Sequence, residues 1–178
     1  MYYSNIIEED AANGIGFRTT LFVSGCNFHC KNCFNQKAQN FNYGKEYTVQ
    51  TEKYILKQIG KSYIKGLSLL GGDPLWQTNE DIKQLIKLCK IVHSLDKNVW
   101  IWSGFTWEDI FGKIPANVVD ASIINAQQEL ITECDVFVDG PFVEELKDLS
   151  LAWRGSSNQR VIDVQKSIKE NKVVLYCD

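Results

Sequence analysis

Short apolar segments rich in β-branched residues alternate along the chain with segments in which apolar residues recur every three or four positions. The first pattern predicts buried strands, and the second predicts helices with one buried face. The predicted strands are residues 18–24, 67–72, 98–104 and 135–140, with two further candidates at residues 159–164 and 173–177. The predicted helices are residues 51–63, a segment capped by Asn79, a segment opened by a Thr106–Asp109 capping box, and residues 118–131.

This alternation predicts the α/β class with a mainly parallel sheet, because parallel neighbours need crossover helices between them. A complete eight-stranded β/α barrel takes about 250 residues, whereas this chain has 178. We therefore predict a partial (open) β/α barrel with a mainly parallel, curved sheet, formed by a single domain over residues 1–178. Ligands of such sheets bind at the carboxyl ends of the strands. The unusual segments of this chain, which are the cysteine loop, GGDP, SGFTW and DGPF, follow four successive predicted strands.

Composition narrows the functional classes. The formal net charge is −3, which gives none of the basic character typical of nucleic-acid-binding domains. The first residues contain no apolar segment of signal-peptide length, and no apolar run approaches the length of a membrane span. We expect a cytoplasmic protein that binds neither nucleic acid nor a membrane.

Three of the six cysteines lie in one short loop. Cys26, Cys30 and Cys33 have the spacing C-x3-C-x2-C, and thiolates select zinc or iron–sulfur clusters. Zinc with His29 as a fourth ligand is one interpretation, although His29 directly precedes Cys30 and the sequence has no second ligand pair. A four-iron cluster held by three cysteines, with one iron open to another ligand, fits the spacing better. Packing or redox chemistry is a third interpretation.

The GGDP segment, residues 71–74, has two explanations. Glycine and proline commonly form a tight turn after a strand. Alternatively, the two glycines let the backbone approach a ligand, whose amine donates to backbone carbonyls. On this second explanation, a side chain at Gly72 obstructs the ligand while sparing a cluster, and the turn at Gly72 adopts a positive φ.

Several other chemically interesting residues are explained by packing. Large aromatic residues usually serve the core, and Trp100 and Trp102 have the spacing that places both on one face of a strand. The polar segment at residues 153–160 predicts an exposed loop. The three remaining cysteines stand among apolar neighbours and are expected to be ordinary buried thiols; they are Cys89, Cys134 and Cys177.

Together these motifs resemble the radical S-adenosylmethionine superfamily, whose signature is the C-x3-C-x2-C loop and whose glycine-rich motif matches GGDP. Within it, the chain is similar to the family of activating proteins of anaerobic (class III) ribonucleotide reductase. The similarity lies in NGIGFRTTLFVSGCNFHCKNCFN (residues 13–35), LLGGDPL (69–75), DVFVDGPF (135–142) and GSSNQRVID (155–163).

The resemblance implies a mechanism. Cys26, Cys30 and Cys33 hold three irons of a [4Fe-4S] cluster and are catalytic through it, and S-adenosyl-L-methionine chelates the fourth iron through its amino and carboxylate groups. Reductive cleavage of that ligand gives a 5′-deoxyadenosyl radical, which generates a glycyl radical on the large subunit of anaerobic ribonucleoside-triphosphate reductase. The implied electron donor is a protein such as a flavodoxin. The alternatives are an activase of another glycyl radical enzyme, of the pyruvate formate-lyase type, and a non-enzymatic iron–sulfur or zinc protein.

The resemblance also implies a set of residues that bind S-adenosylmethionine. Many superfamily members have an aromatic residue just before the third cysteine, near the adenine. This chain has Asn32 there and Phe34 after Cys33, which leaves the adenine contact open. The expected cofactor-binding residues are Asn32, Cys33, Phe34, Gly71, Gly72, Asp73, Pro74, Ser103 and Asp139, of which Ser103 and Asp139 rest only on their positions at strand ends.

Overall fold

A computed structural model of the chain describes residues 1–112 and 121–177. The strands are β1 (Tyr2–Asp10), β2 (Phe17–Val23), β3 (Lys45–Glu46), β4 (Ile64–Gly71), β5 (Asn98–Trp102), β6 (Val136–Asp139), β7 (Arg160–Asp163) and β8 (Leu175–Cys177). The α-helices are α1 (Val49–Ile59), α2 (Asn79–Ser94), α3 (Trp107–Phe111), α4 (Ala121–Thr132) and α5 (Val164–Glu170).

The strands form one mixed sheet in the order β3-β1-β2-β4-β5-β6-β7-β8. The central strands β2, β4, β5 and β6 are parallel to one another. The flanking strands pair antiparallel on both sides. The α/β class is therefore confirmed, whereas the sheet is parallel only at its centre. Only residues 11–16 connect β1 to β2, too few for the crossover that a parallel pair requires. The curvature of a partial barrel stays a prediction.

Most elements predicted from the apolar pattern are present, and β1, β3 and α5 were missed. Half-buried and exposed side chains alternate along β1, and its polar composition hides a strand that has only one face against the core. Asp163, placed inside a predicted strand, also caps α5 by accepting a hydrogen bond from the Lys166 N–H.

The predicted helix boundaries needed correction at two points, and a third prediction is tested only in part. The helix predicted over residues 51–63 ends at Ile59, because Gly60 is its C-cap. Thr78, and not Asn79, caps α2 through a hydrogen bond from the Asp81 N–H. Residues 118–120 of the predicted helix at 118–131 lie outside the described residues, and α4 covers the remainder. The capping box that opens α3 is confirmed.

The two faces of the sheet carry different layers. On the helical side, alternate strand residues such as Leu67, Leu69 and Phe137 form a large apolar core with α1, α2 and α4. The other face carries a smaller cluster around Trp100. Trp102 stacks on Trp100 with ring centroids 5.8 Å apart, so the predicted shared face is confirmed.

A fully buried arginine lies on this second face. Arg18 donates to Ser68 Oγ at 2.7 Å, to Asn98 Oδ1 at 2.6 Å and to the Leu67 carbonyl at 2.6 Å. Its guanidinium carbon lies 5.3 Å from the Trp100 ring centroid. These bonds connect β2, β4 and β5 beneath their carboxyl ends, and they replace the hydration that burial removes.

The remaining cysteines divide between the two faces. Cys89 and Cys134 are fully buried in the helical-side core, as predicted, whereas Cys177 is only half-buried near Trp100. The prediction of a buried thiol is therefore wrong for Cys177, because β8 is an edge strand. No helix within residues 1–112 and 121–177 combines the length and apolarity needed to cross a bilayer.

Candidate active site

A cavity of about 430 Å³ opens where the four parallel strands end. Its walls come from the loops that follow β2, β4 and β5, from the connection between β6 and β7, and from residues 12–13. The structure thus brings together the segments whose position at strand ends suggested a shared site.

The three loop cysteines all line this cavity, and each is half-buried with a free thiol. The loop turns between them through two non-glycine residues in the left-handed region, His29 at φ 49° and Asn32 at φ 55°. The His29 ring is exposed, with Nδ1 3.2 Å from Gln39 Oε1, and it is not part of the cavity wall. In the described part of the chain, no three His, Cys, Asp or Glu side chains converge tightly enough to hold a single metal ion.

Burial makes the thiolate forms of Cys26 and Cys30 unfavourable without a cation. It raises the pKa of Cys26 to about 12 and also raises the pKa of Cys30. Metal binding supplies the positive charge that stabilises the thiolates, and it releases their protons. Three soft donors on the wall of one cavity fit an iron–sulfur cluster, in which each cysteine binds its own iron.

The two glycines of GGDP let β4 end directly against the cysteine loop. Gly71 has φ +119°, and a Cβ there would lie 2.5 Å from the Val23 carbonyl oxygen. A Cβ at Gly72 would lie 2.5 Å from the Gly25 carbonyl oxygen and 2.7 Å from that of Ala38. The backbones are also joined, since the Gly72 N–H donates to the Val23 carbonyl at 2.7 Å and the Asp73 N–H to that of Gly25 at 2.8 Å.

These contacts correct the expectation for Gly72. The positive φ belongs to Gly71 and not to Gly72. A Cβ at Gly72 overlaps the backbone of Gly25 and Ala38, which stand at the two ends of the cysteine loop, so we expect a side chain there to disturb the cysteines as well. The sequence showed only a pair of glycines after a strand. That pattern is the same whether the glycines form a tight turn or make room for a ligand.

The Asp73 carboxylate joins the loops that follow β4 and β5. It is 1% exposed and accepts the Leu75 and Gly104 N–H groups, each at 2.8 Å. The Ser103 hydroxyl lies 2.9 Å from both carboxylate oxygens. Burial raises the pKa of Asp73 to about 6, despite these hydrogen bonds. Ser103 and Asp73 both line the cavity, but their polar groups are already engaged with each other.

Three aromatic rings pack against one another and connect the same loops. Phe28 of the cysteine loop packs edge-on against Trp76 and Phe105, with centroids 5.8 Å and 5.0 Å apart. Trp76 and Phe105 are 5.2 Å apart. A Cβ at Gly104 would lie 2.5 Å from the Phe28 ring, so this glycine is required for the close packing. The loops after β2, β4 and β5 therefore form one rigid unit around the cysteines.

The other predicted cofactor-binding residues occupy different positions. Phe34 stands on the cavity rim and is 97% exposed. Asn32 is exposed and Pro74 is buried, and neither belongs to the cavity wall. Asp139 is 1% exposed and accepts hydrogen bonds from the Trp107 N–H and from Arg160, while its neighbour Gly140 lines the cavity. Cofactor contacts for these four residues stay predictions.

One wall of the cavity was not found from the sequence. The segment at residues 153–160 predicted an exposed loop, yet Trp153, Arg154, Gly155 and Gln159 line the cavity. The segment folds back through an antiparallel bridge between Lys147 and Ser156. The composition of this segment did not indicate a ligand. The one indication in the sequence was that the segment follows DVFVDGPF, whose strand ends at the cavity. Asn13 was also missed, and Phe142 was placed near the site only as part of DGPF.

One protein family and several known proteins are similar to this chain. Residues 12–162 match the family described as a 4Fe-4S single cluster domain. The chain is 39% identical over 162 residues to the anaerobic ribonucleoside-triphosphate reductase-activating protein of Vibrio cholerae, covering 89% of this chain and 96% of that protein. The protein of the same name from Enterobacteria phage T4 is 37% identical, covering 90% of this chain and 93% of its own length. That from Escherichia coli (strain K12) is 36% identical, with 90% and 97% covered.

Proposed function

The chain belongs to the family of the anaerobic ribonucleoside-triphosphate reductase-activating proteins, and from this premise we propose that it generates the glycyl radical of an anaerobic ribonucleoside-triphosphate reductase. The partner is the large subunit of that reductase, which carries the glycine. The electron donor is a protein such as a flavodoxin. We further propose that residues 1–178 form one domain and that the sheet is part of an open barrel.

Two cofactors belong to this proposal. Cys26, Cys30 and Cys33 bind a [4Fe-4S] cluster, and S-adenosylmethionine shares the cavity, whose volume of about 430 Å³ lies in the range usual for small-molecule sites. When bound, the cluster and S-adenosylmethionine supply the one-electron cleavage chemistry whose 5′-deoxyadenosyl radical takes a hydrogen atom from the partner's glycine.

The protein's own residues position the cofactors and shield them from water. Asp73 and the Phe28–Trp76–Phe105 cluster keep the loops after β2, β4 and β5 in one arrangement, so the cysteine sulfurs do not need to be ordered when the cofactors bind. Apolar side chains on the wall, including Phe28, Phe142 and Trp102, exclude water from the reacting groups. We assign the direct ligand contacts to Cys33, Phe34, Gly71, Gly72, Asp73 and Ser103 on the wall, with Asn32, Pro74 and Asp139 around it.

The observation that carries the proposal is that three half-buried cysteines and the glycine-rich loop share one cavity, in a chain with this family membership. The test is anaerobic reconstitution with iron and sulfide, reduction, and addition of S-adenosylmethionine with the large subunit of an anaerobic ribonucleotide reductase. We expect 5′-deoxyadenosine together with a glycyl radical signal in electron paramagnetic resonance, and neither from Cys33→Ala.

The same experiment separates the alternatives. An activase of the pyruvate formate-lyase type produces the glycyl radical on that enzyme and not on the reductase. A non-enzymatic iron–sulfur or zinc protein produces no 5′-deoxyadenosine with either partner. Either result overturns the proposed function.

A further inference from the structure

Arg154 is the one positively charged side chain among the described residues that line the cavity. Among its described lining residues, only Asp73 and Arg154 carry charged side chains. The Asp73 carboxylate already accepts hydrogen bonds from Leu75, Ser103 and Gly104. Arg154 is therefore the charged side chain of the wall that is available to bind a ligand.

The Arg154 guanidinium has few partners in the described part of the protein. Its Nη1 donates to the Gln159 carbonyl at 3.3 Å, which is long for such a bond, and its Nε is buried with no partner. Arg160, in the same connection, is by contrast paired with both Asp139 and Glu108. Nε is enclosed by protein atoms, whereas Nη2 makes no hydrogen bond to the described residues. Nη1 and Nη2 together form the end of the guanidinium, which can bind a carboxylate through two parallel hydrogen bonds.

The chain around Arg154 holds it in place. Trp153 has φ +57°, a conformation that is rare for a bulky residue and persists only where the surroundings enforce it. Its carbonyl accepts the Trp102 indole N–H at 2.7 Å, and its ring packs edge-on against Trp100 with centroids 5.0 Å apart. On the other side, Gln159 Oε1 accepts the Gly155 N–H at 2.9 Å. The strained turn is thus fixed on both sides of Arg154.

We propose that Arg154 binds the α-carboxylate of S-adenosylmethionine, an inference that rests on the proposed function. The carboxylate is the one anionic group of that ligand, whose sulfonium group is positive. A planar guanidinium fits a carboxylate bidentately, and a water-excluding wall strengthens the pair. The loop between β6 and β7 then completes a site whose other residues come from the loops after β2, β4 and β5.

The test compares two ligands that differ only in the carboxylate. S-adenosylmethionine and decarboxylated S-adenosylmethionine are titrated into the cluster-loaded protein, and their dissociation constants are measured at equilibrium without reduction. The variants are Arg154→Gln, which removes the charge and the fork, and Arg154→Lys, which keeps the charge alone. Lys147→Gln is the matched control, since it removes a positive charge from the same connection at an exposed position. Iron content and thermal unfolding verify that each variant is folded and loaded.

We expect Arg154→Gln to weaken binding of S-adenosylmethionine by about 10- to 100-fold and to leave binding of the decarboxylated ligand within about twofold of the wild type. Arg154→Lys retains part of the preference, and Lys147→Gln retains all of it. If Arg154→Gln takes up no cluster, Arg154→Lys is the deciding variant. The inference then requires that its preference for S-adenosylmethionine over the decarboxylated ligand is smaller than that of the wild type.

Other results overturn the inference in distinguishable ways. Equal weakening of both ligands assigns Arg154 to support of the wall, and unchanged binding with a shifted cluster potential assigns it to the cluster; in both cases the proposed function stands. If the wild-type protein binds neither ligand, the proposed function fails and the inference fails with it.

Discussion

Gly71 and Gly72 stand side by side, but glycine is required at each for a different reason. Gly71 adopts φ +119°, which side chains other than hydrogen rarely tolerate. Gly72 has no such φ, and its constraint is the backbone of Gly25 and Ala38 within 2.7 Å of a built Cβ. Both requirements belong to the contact between β4 and the cysteine loop. Ligand access, if it also needs these glycines, is a second demand on the same positions.

Gly72→Ala is expected to destabilise the protein by roughly 1–3 kcal/mol and to lower cluster uptake, because the backbone atoms on both sides of the Cβ belong to the cysteine loop. Urea unfolding of the iron-free protein and iron content after reconstitution measure the two effects. Gly60→Ala is the control: Gly60 has φ −65° at the end of α1 and a Cβ there meets nothing closer than 3.4 Å. Full stability and full iron content in Gly72→Ala would contradict the steric argument.

Asp73 predicts a pH dependence of stability. Its pKa of about 6 in the folded protein lies above its ordinary value of 3.8, so the folded state binds this proton more tightly than the unfolded state does. The contribution is fully present below pH 3.8 and is lost as the pH rises through about 6. Relative to Asp73→Asn, which does not titrate, the free energy of unfolding of the iron-free wild type should fall by up to about 3 kcal/mol over this range. Urea unfolding at several pH values measures it, and parallel pH profiles would refute the assignment.

At the scale of elements, the loops after four strands are held by three separate devices. Asp73 joins the loops after β4 and β5, and the aromatic cluster adds the loop after β2. Arg160 on β7 joins the end of β6 to α3, because it contacts both Asp139 and Glu108. This last device holds the β6 end of the cavity, next to Gly140.

Arg160→Met is expected to destabilise the protein by about 3 kcal/mol. Asp139 is 1% exposed, and loss of its partner leaves a buried carboxylate that keeps only the Trp107 N–H. Glu108→Gln removes the exposed partner of the same arginine, 61% exposed, and should cost no more than about 1 kcal/mol. Chemical unfolding of both variants gives the comparison, and equal losses would show that the buried carboxylate is not the source of the effect.

At the scale of the whole molecule, the sheet separates two populations of cysteine. Cys26, Cys30 and Cys33 line the cavity at the strand ends, and Cys89 and Cys134 lie in the helical-side core. Cys177 lies on edge strand β8. Only the first group shares a surface on which one cluster can contact three sulfurs.

Single alanine variants of the six cysteines should therefore divide cleanly in iron content after reconstitution. Cys26→Ala, Cys30→Ala and Cys33→Ala are expected to lose the cluster while remaining folded. Variants at the other three positions are expected to keep it, although the two core substitutions lower the unfolding temperature because they leave small cavities. Loss of iron from a folded variant of Cys89, Cys134 or Cys177 would reject a three-cysteine site.

Local pattern was sufficient for much of this protein. Short, largely apolar segments rich in β-branched residues marked β2, β4, β5 and β6, the strands of the parallel centre, because strands buried on both faces show no strict polar alternation. The spacing of Cys26, Cys30 and Cys33 indicated a cluster, since thiolate chemistry and ligand count are properties of a short segment. The capping box at Thr106 and Asp109 is also local, and it formed as predicted.

Only the tertiary structure decided the features that depend on residues distant along the chain. The antiparallel strand β1 is half polar and became a strand by pairing with β2. The role of Gly72 depends on Gly25 and Ala38, and the carboxylate of Asp73 is engaged by the Ser103 hydroxyl and the Gly104 N–H. Arg154 reached the cavity wall because its segment folds back after β6. A sequence pattern reports the preferences of neighbouring residues, whereas packing, burial and hydrogen bonding across the sheet exist only once the chain has folded.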